Sequence, residues 1–184
     1  MTKKVLVPIA DGSEEIEAVC IIDVLRRAGA EVTVASVGEL QITASRGVKL
    51  VADTRIAECT DKTYDCIALP GGMPGAEHLR DSEELLGLLK RQADEGRLFA
   101  AICAAPVVVL KNHGLLGRRR ATGHPDFSDV FENRESVGSR VVVDGNCVTS
   151  RGPGTAIEFA LTLVELLFSK EKADEVAAPM LVRE

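Results

Sequence analysis

One stretch constrains this chain more than any other: Arg97–Leu110, which reads RLFAAICAAPVVVL. It begins as an apolar run, reaches Cys103, and passes through two alanines and Pro106 into further aliphatic residues. The economical reading is a buried strand (Arg97–Ile102) that turns sharply into a helix (Ala104–Lys111). Pro106 suits the first turn of that helix, where a missing N–H costs nothing. Cys103 then sits at the corner, beside the first free amides and the positive end of the helix dipole, which favour a thiolate over a thiol.

The remaining chain supplies a fold in which such a corner belongs. Lys4–Ala10 (KVLVPIA) reads as a strand buried on both faces, followed by the turn-like Asp11-Gly12-Ser13. Glu14–Ala28 has a helical pattern: Ser13 is the expected N-cap, three glutamates complement the dipole, and Arg26 and Arg27 precede Gly29. Its middle, Ala18–Ile22, is apolar all round, which points to a subunit contact as well as a core contact. Glu31–Val37 alternates as a strand, and Leu40–Thr43 with Val48–Ala52 flank Ser45-Arg46-Gly47 as a small hairpin.

Asp65–Leu69 is another short buried strand, and it runs into Pro70-Gly71-Gly72-Met73-Pro74-Gly75. Those glycines serve either a tight strand-to-helix turn or a loop whose amides approach a ligand closely. Ser82–Gly96 reads as an amphipathic helix with Leu85, Leu86, Leu88 and Leu89 inward. Ala121–Pro125 places His124 in a loop. Arg140–Val143 and Cys147–Ser150 form a second hairpin, and Arg151–Thr155 opens the helix Ala156–Phe168. Lys170–Val176 is a short helix with a loosely docked tail.

Strands alternate with helices throughout, without a linker-like stretch or an internal repeat. The expectation is one α/β domain over residues 1–184, with a parallel-dominated sheet covered by helices on both faces. Chemistry in such sheets gathers at the carboxyl ends of the strands, so Asp11–Glu17, Gly71–Gly75 and Cys103 should share one edge.

Composition narrows the function. The formal charge is −6, with five Phe, one Tyr and no Trp. Such a chain is a poor general binder of nucleic acid or anionic membrane, and it has little material for base stacking. Its only basic run, Arg118–Arg120, reads as a solvated loop. The five cysteines (Cys20, Cys59, Cys66, Cys103 and Cys147) are odd in number and lack CxxC spacing, which favours free thiols. His78, His113 and His124 have no paired ligand spacing, so no metal site is expected, and His78 and His113 read as surface residues. No targeting or membrane-spanning segment is evident, and the cytoplasm is the expected compartment.

Five ordered motifs then stand out: GSEEIEA after the first strand, LPGG after a middle strand, AAICAAP at the corner, GHP downstream, and TSRGPGT before the last long helix. Together they resemble the ThiJ/PfpI superfamily, and more narrowly its DJ-one branch, across nearly the whole chain. The resemblance implies a flavodoxin-like sandwich of the class I glutamine-amidotransferase type and a homodimer through the first helix. It implies Cys103 as nucleophile, Glu17 as the acid that contacts its sulfur, and His124 as a nearby histidine. Gly71, Gly72 and Ala104 would line an oxyanion pocket, Arg46 an anion site beside it, and Arg27 would reach the site across the dimer. Ala104-Ala105 departs from the Ala-Gly of many relatives and should narrow the site. The other oxidation-prone positions of some animal relatives are Ala44 and Val51 here, which confines redox chemistry to Cys103.

The activity implied is a cofactor-free glyoxalase, converting methylglyoxal or glyoxal to lactate or glycolate, with possible action on glycated thiols and amines. The competing expectation is a stress sensor that works through oxidation of Cys103 to a sulfinate and through partners. Peptidase relatives place a histidine directly after the elbow cysteine. Ala104 at that position ranks proteolysis last.

Overall fold

In the computed structural model, which describes residues 2–132 and 134–182, seven strands form one sheet. They are β1 (Lys4–Ile9), β2 (Glu31–Ser36), β5 (Thr54–Arg55), β6 (Cys66–Leu69), β7 (Leu98–Ile102), β8 (Val141–Asp144) and β9 (Cys147–Ser150). Their spatial order is β5-β2-β1-β6-β7-β9-β8, and only the edge pair β8–β9 is antiparallel. Taking β2-β1-β6-β7-β9 as the parallel frame gives the flavodoxin-like order, whose switch point lies between β1 and β6. β3 (Gln41–Thr43) and β4 (Lys49–Val51) make the separate hairpin expected from the sequence.

The helices divide between the two faces. α1 (Glu15–Arg27), α4 (Ala156–Leu167) and α5 (Lys170–Ala177) cover one face, where Val5, Val7 and Ile9 meet Ile21, Val24, Phe159 and Leu163. α2 (Gly75–Asp81) and α3 (Glu83–Asp94) cover the other, where Leu6 and Ile67 meet Leu79, Leu85 and Leu89. Alternate residues of β1 thus serve opposite cores, as the period of two in an extended chain requires. This is why the strand is apolar throughout rather than alternating. Among the described residues, no helix is long and apolar enough to cross a membrane.

Several local expectations are corrected. Glu14, not Ser13, caps α1: its carboxylate accepts from the Glu17 amide at 2.7 Å, while Ser13 is buried and its Oγ accepts from the Ala10 amide. α2 was not foreseen, because a short helix starting in a Gly-Pro-rich run carries more turn signals than helical ones. Leu86 on α3 is only half-buried.

The segment after Cys103 is helical as expected, but its spacing is not that of a regular α-helix. Over Pro106–Lys111 the spacing is π-type: the Asn112 amide donates to the Val107 carbonyl and Leu115 to Leu110. The basic run is not a plain solvated loop either. Arg119 lies over the Phe99 ring at 5.6 Å and donates to Asn146 Oδ1, and the Arg120 amide donates to Asp144. His113 is half-buried, with Nε2 2.8 Å from the Arg80 carbonyl oxygen. The tail expected to dock loosely falls partly on residues 183–184, outside the described residues.

The Ala18–Ile22 face is partly uncovered in the single chain. Ala18 and Ile21 are buried, Cys20 and Ile22 half-buried, and Val19 is exposed, as is Ile16 one turn earlier.

Candidate active site

Three strand ends deliver the site. β1 leads through Asp11–Ser13 into α1 and Glu17, β6 leads into Gly71-Gly72, and β7 leads into Cys103. Cys103 has φ 66°, in the left-handed region that a side chain with a Cβ occupies at a cost of about 1–3 kcal/mol. The strain is held by flanking bonds: the Cys103 amide donates to the Ser150 carbonyl at 3.1 Å, and its own carbonyl accepts from the His124 amide at 2.8 Å. A strand-to-coil corner of this kind lifts the side chain out of the sheet edge.

Glycine is required opposite it. A Cβ at Gly71 would lie 2.6 Å from the Cys103 Cβ, and one at Gly72, where φ is 87°, would lie 2.5 Å from the Glu14 nitrogen. The loop therefore passes against the corner and presents its amides there. The Gly72 and Ala104 amides favour the ionised form of the Cys103 sulfur. The Gly71 amide does something else: it donates to Glu17 Oε2 at 2.7 Å. Gly71 is thus a holder of the carboxyl and not a third amide that favours the thiolate.

Glu17 is fully buried, and its other oxygen, Oε1, has no hydrogen-bond partner. Burial raises its pKa from the usual 4.5 to about 7; the Gly71 amide opposes the rise, the Glu14 charge adds to it, and the Cys103 thiol interacts with it directly. The thiol is pushed up to about 12, first by burial and then by the Glu17 charge, while the Gly72 and Ala104 amides pull it down. Burial and the Glu17 charge thus work against the thiolate that the amides at the helix start favour, and outweigh them. The two acids behave as one unit, in which the second proton leaves only against the charge of the first.

Cys103 opens on a cavity of about 520 Å³ lined also by Gly72, Ala104, His124, Arg46 and Phe127, among others, with Glu17 buried behind it. His124 belongs to this wall, with Nδ1 accepting from the Asp126 amide at 3.3 Å. Arg46 is placed by a contact that the sequence did not disclose. Buried Glu15 accepts from the Arg46 amide at 2.8 Å and from Ser45 Oγ at 2.8 Å, clamping the β3–β4 turn over the cavity mouth. Burial opposes the charge of Glu15, but these donors hold its pKa below the usual range. Arg27 is not brought to the site within this chain: it lies ten residues beyond Glu17, roughly 15 Å along the helix, and pairs with Asp23 at 2.7 Å. All five cysteines are free, and Cys59, Cys66 and Cys147 are buried away from the cavity.

A flavodoxin-like sandwich with a strained elbow cysteine against a buried carboxylic acid defines the class: α/β proteins with a cysteine–carboxyl pair at the sheet's carboxyl edge. A match to the DJ-1/PfpI family model over residues 3–166 makes the class specific. The chain belongs to that family. It is 52% identical to Protein DJ-1 homolog A of Arabidopsis thaliana over 99% of its length, which is 47% of the plant protein. The chain thus spans about half the length of that relative and of its sister, homolog B, of which it covers 42%. The structure described as oxidized DJ-1 of Toxoplasma gondii superposes with a TM-score of 0.96 at 54% identity, each chain covered in full. A Caenorhabditis elegans relative, 36% identical over 96% of this chain and 94% of its own, carries the name glutathione-independent glyoxalase DJR-1.2.

Proposed function

We propose that this chain is a cofactor-independent glyoxalase acting on small dicarbonyls such as methylglyoxal and glyoxal. One observation carries the reading: a carboxyl with a pKa near 7 is buried against a thiol that two backbone amides also address. Membership of a family with a glyoxalase-named relative supports it.

In this mechanism the Cys103 sulfur adds to the aldehyde carbon, and the thiol proton passes by way of Glu17 to the carbonyl oxygen, giving a hemithioacetal. The Gly72 and Ala104 amides stabilise the oxyanion formed on the way. Glu17, assisted by His124, then takes the proton from the former aldehyde carbon and returns one to the neighbouring carbon through an enediol. The first carbon is oxidised and the second reduced, so no external redox partner is needed. The resulting thioester is hydrolysed by water, releasing lactate or glycolate and restoring the thiol. Arg46 would attract the polar end of the substrate, and glycated hemithioacetals or aminocarbinols would be processed by the same groups.

The test is methylglyoxal turnover by purified wild type, Cys103→Ala and Glu17→Gln, reading lactate directly. Loss of at least a hundredfold in both variants is expected. Full activity in Cys103→Ala would refute the mechanism.

The rival reading, a redox sensor, uses the same thiol: a protonated Glu17 would hydrogen-bond a Cys103 sulfinate. Selective uptake of two oxygens at Cys103 under mild peroxide, with negligible turnover, would decide for the sensor. A homodimer through α1 belongs to the proposal as well, since Ile16 and Val19 are apolar and exposed there.

A further inference from the structure

Arg151 follows β9 directly, at the carboxyl edge of the sheet. Ile102 pairs with Ser150 in the β7–β9 register, and the Cys103 amide bonds the Ser150 carbonyl, so Arg151 is the next residue along from the partner of the elbow. Strand spacing puts its backbone on the order of 5 Å from that of Cys103. Its Nε is buried and has no hydrogen-bond partner, the only arginine nitrogen of which this is true among the described residues. Other arginines of this acidic chain are neutralised, among them Arg26 by Asp53, Arg27 by Asp23, Arg80 by Asp81 and Arg140 by Glu158. No ion pair within the described residues involves Arg151.

The space beside Arg151 is an open cavity of about 270 Å³, lined by Arg151, Arg140, His124, Pro125 and the turn Gly152–Thr155. No carboxylate lines it. It shares His124 and Pro153 with the Cys103 cavity, so the two are neighbouring compartments on one sheet edge. A permanent cation with an unfilled, desolvated donor is costly unless an acceptor arrives, and a guanidinium fork fits a planar carboxylate best.

We propose that Arg151, with His124 beside it, forms a carboxylate subsite adjoining the Cys103 cavity. Its ligands are small 2-oxo or 2-hydroxy acids, which include the product class of the proposed reaction and the carboxylated aldehyde glyoxylate. The substrate-class part of this rests on the glyoxalase reading; the binding part does not. Glyoxylate makes the connection chemically: the Cys103 S–H adds across its aldehyde C=O, forming an S–C bond and an O–H. The adduct has no adjacent ketone, so it cannot proceed through an enediol and acts as a reversible inhibitor.

The experiment uses glycolate and glyoxylate as probes on the full chain. Glycolate is titrated into wild type, Cys103→Ala, Arg151→Gln and Arg151→Lys by calorimetry, and into isotope-labelled wild type by NMR. Expected are a dissociation constant weakened at least tenfold in Arg151→Gln, within twofold of wild type in Cys103→Ala, and intermediate in Arg151→Lys. The Arg151 Nε–H and Gly152–Thr155 amide signals of wild type should shift on saturation, a readout that stands even if a variant folds poorly. Unchanged affinity in Arg151→Gln, or wild-type shifts confined to other regions, would overturn the subsite. Glyoxylate should inhibit methylglyoxal turnover competitively, with an inhibition constant raised about tenfold in Arg151→Gln. If methylglyoxal is not turned over but glycolate binding depends on Arg151, the subsite stands and the glyoxalase reading falls. Turnover with glycolate binding indifferent to Arg151 has the opposite meaning.

Discussion

The pH dependence of stability tests the buried carboxyl without reference to any substrate. Glu17 titrates near 7 in the folded chain and near the ordinary 4.5 when unfolded. Because the folded pKa is raised, the folded state holds the proton more tightly. The relative stabilisation is complete below the unfolded value and is lost as pH rises through the folded value. Integrating both titrations between pH 5 and pH 8 gives a loss of about 2.5 kcal/mol from this one group. Glu17→Gln keeps the shape and an oxygen to accept the Gly71 amide, but it removes the titration. Urea unfolding of both proteins at fixed concentration, in steps from pH 5 to pH 8, isolates the effect as the difference between them. The variant should gain on wild type by about 2.5 kcal/mol across that window, with other groups cancelling. A difference that stays constant with pH would show that the carboxyl is not held protonated by burial.

The other predictions address packing, assembly and the kinetic role of the same proton. Gly75→Ala would place a Cβ 2.3 Å from the Ser13 nitrogen, so it should cost about 3 kcal/mol and lower Tm by roughly 6–12 °C. Gly87→Ala, on an exposed part of α3 with open space, should instead stabilise by roughly 0.5–1 kcal/mol. Equal melting shifts in the two variants would refute the close-approach argument. Val19→Glu on the exposed strip of α1 should convert a dimer to a monomer in light scattering, and a wild type that is already monomeric would remove the interface proposal. The form with one proton shared between Glu17 and Cys103 dominates above about pH 7, so kcat/KM for methylglyoxal should rise about tenfold per pH unit below 7 and level off above it. Glu17→Gln should lack that limb.

The frame of this fold was readable because its signals are local and repeated. Period-two or fully apolar strands alternate with helical stretches, and the parallel topology follows from that alternation. The convergence of Asp11–Glu17, Gly71–Gly75 and Cys103 on one edge was readable for the same reason, since each follows a strand that enters the sheet in the same direction. What the residue pattern did not disclose are contacts between segments distant in sequence. Glu15 reads as a dipole residue of the first turn, yet it reaches 31 positions along the chain to clamp Arg46. Ser13 reads as the cap because serine is a common one, but its hydroxyl is already committed to closing the turn after β1. Arg119 reads as one of three solvated charges, and only the position of Phe99 reveals its packing.

The largest departure concerns Cys103 itself, and it changes what reactivity means in this site. A cysteine at a helix start suggests a low pKa as a property of the residue. The structure buries the sulfur beside a second acid, so neither group titrates alone. Burial raises both, and the amides of Gly71, Gly72 and Ala104 divide their support, one to the carboxyl and two to the sulfur. A free, permanently ionised thiolate would add to an aldehyde readily and its charge would hold the proton on Glu17, but burial of the sulfur opposes that charge here. One proton held between sulfur and carboxyl can serve both the addition and the transfer that follows. The physical requirement is therefore a pair whose first ionisation lies near 7 and whose second is suppressed. A strained corner, a desolvated carboxyl and a glycine loop against both impose that requirement together.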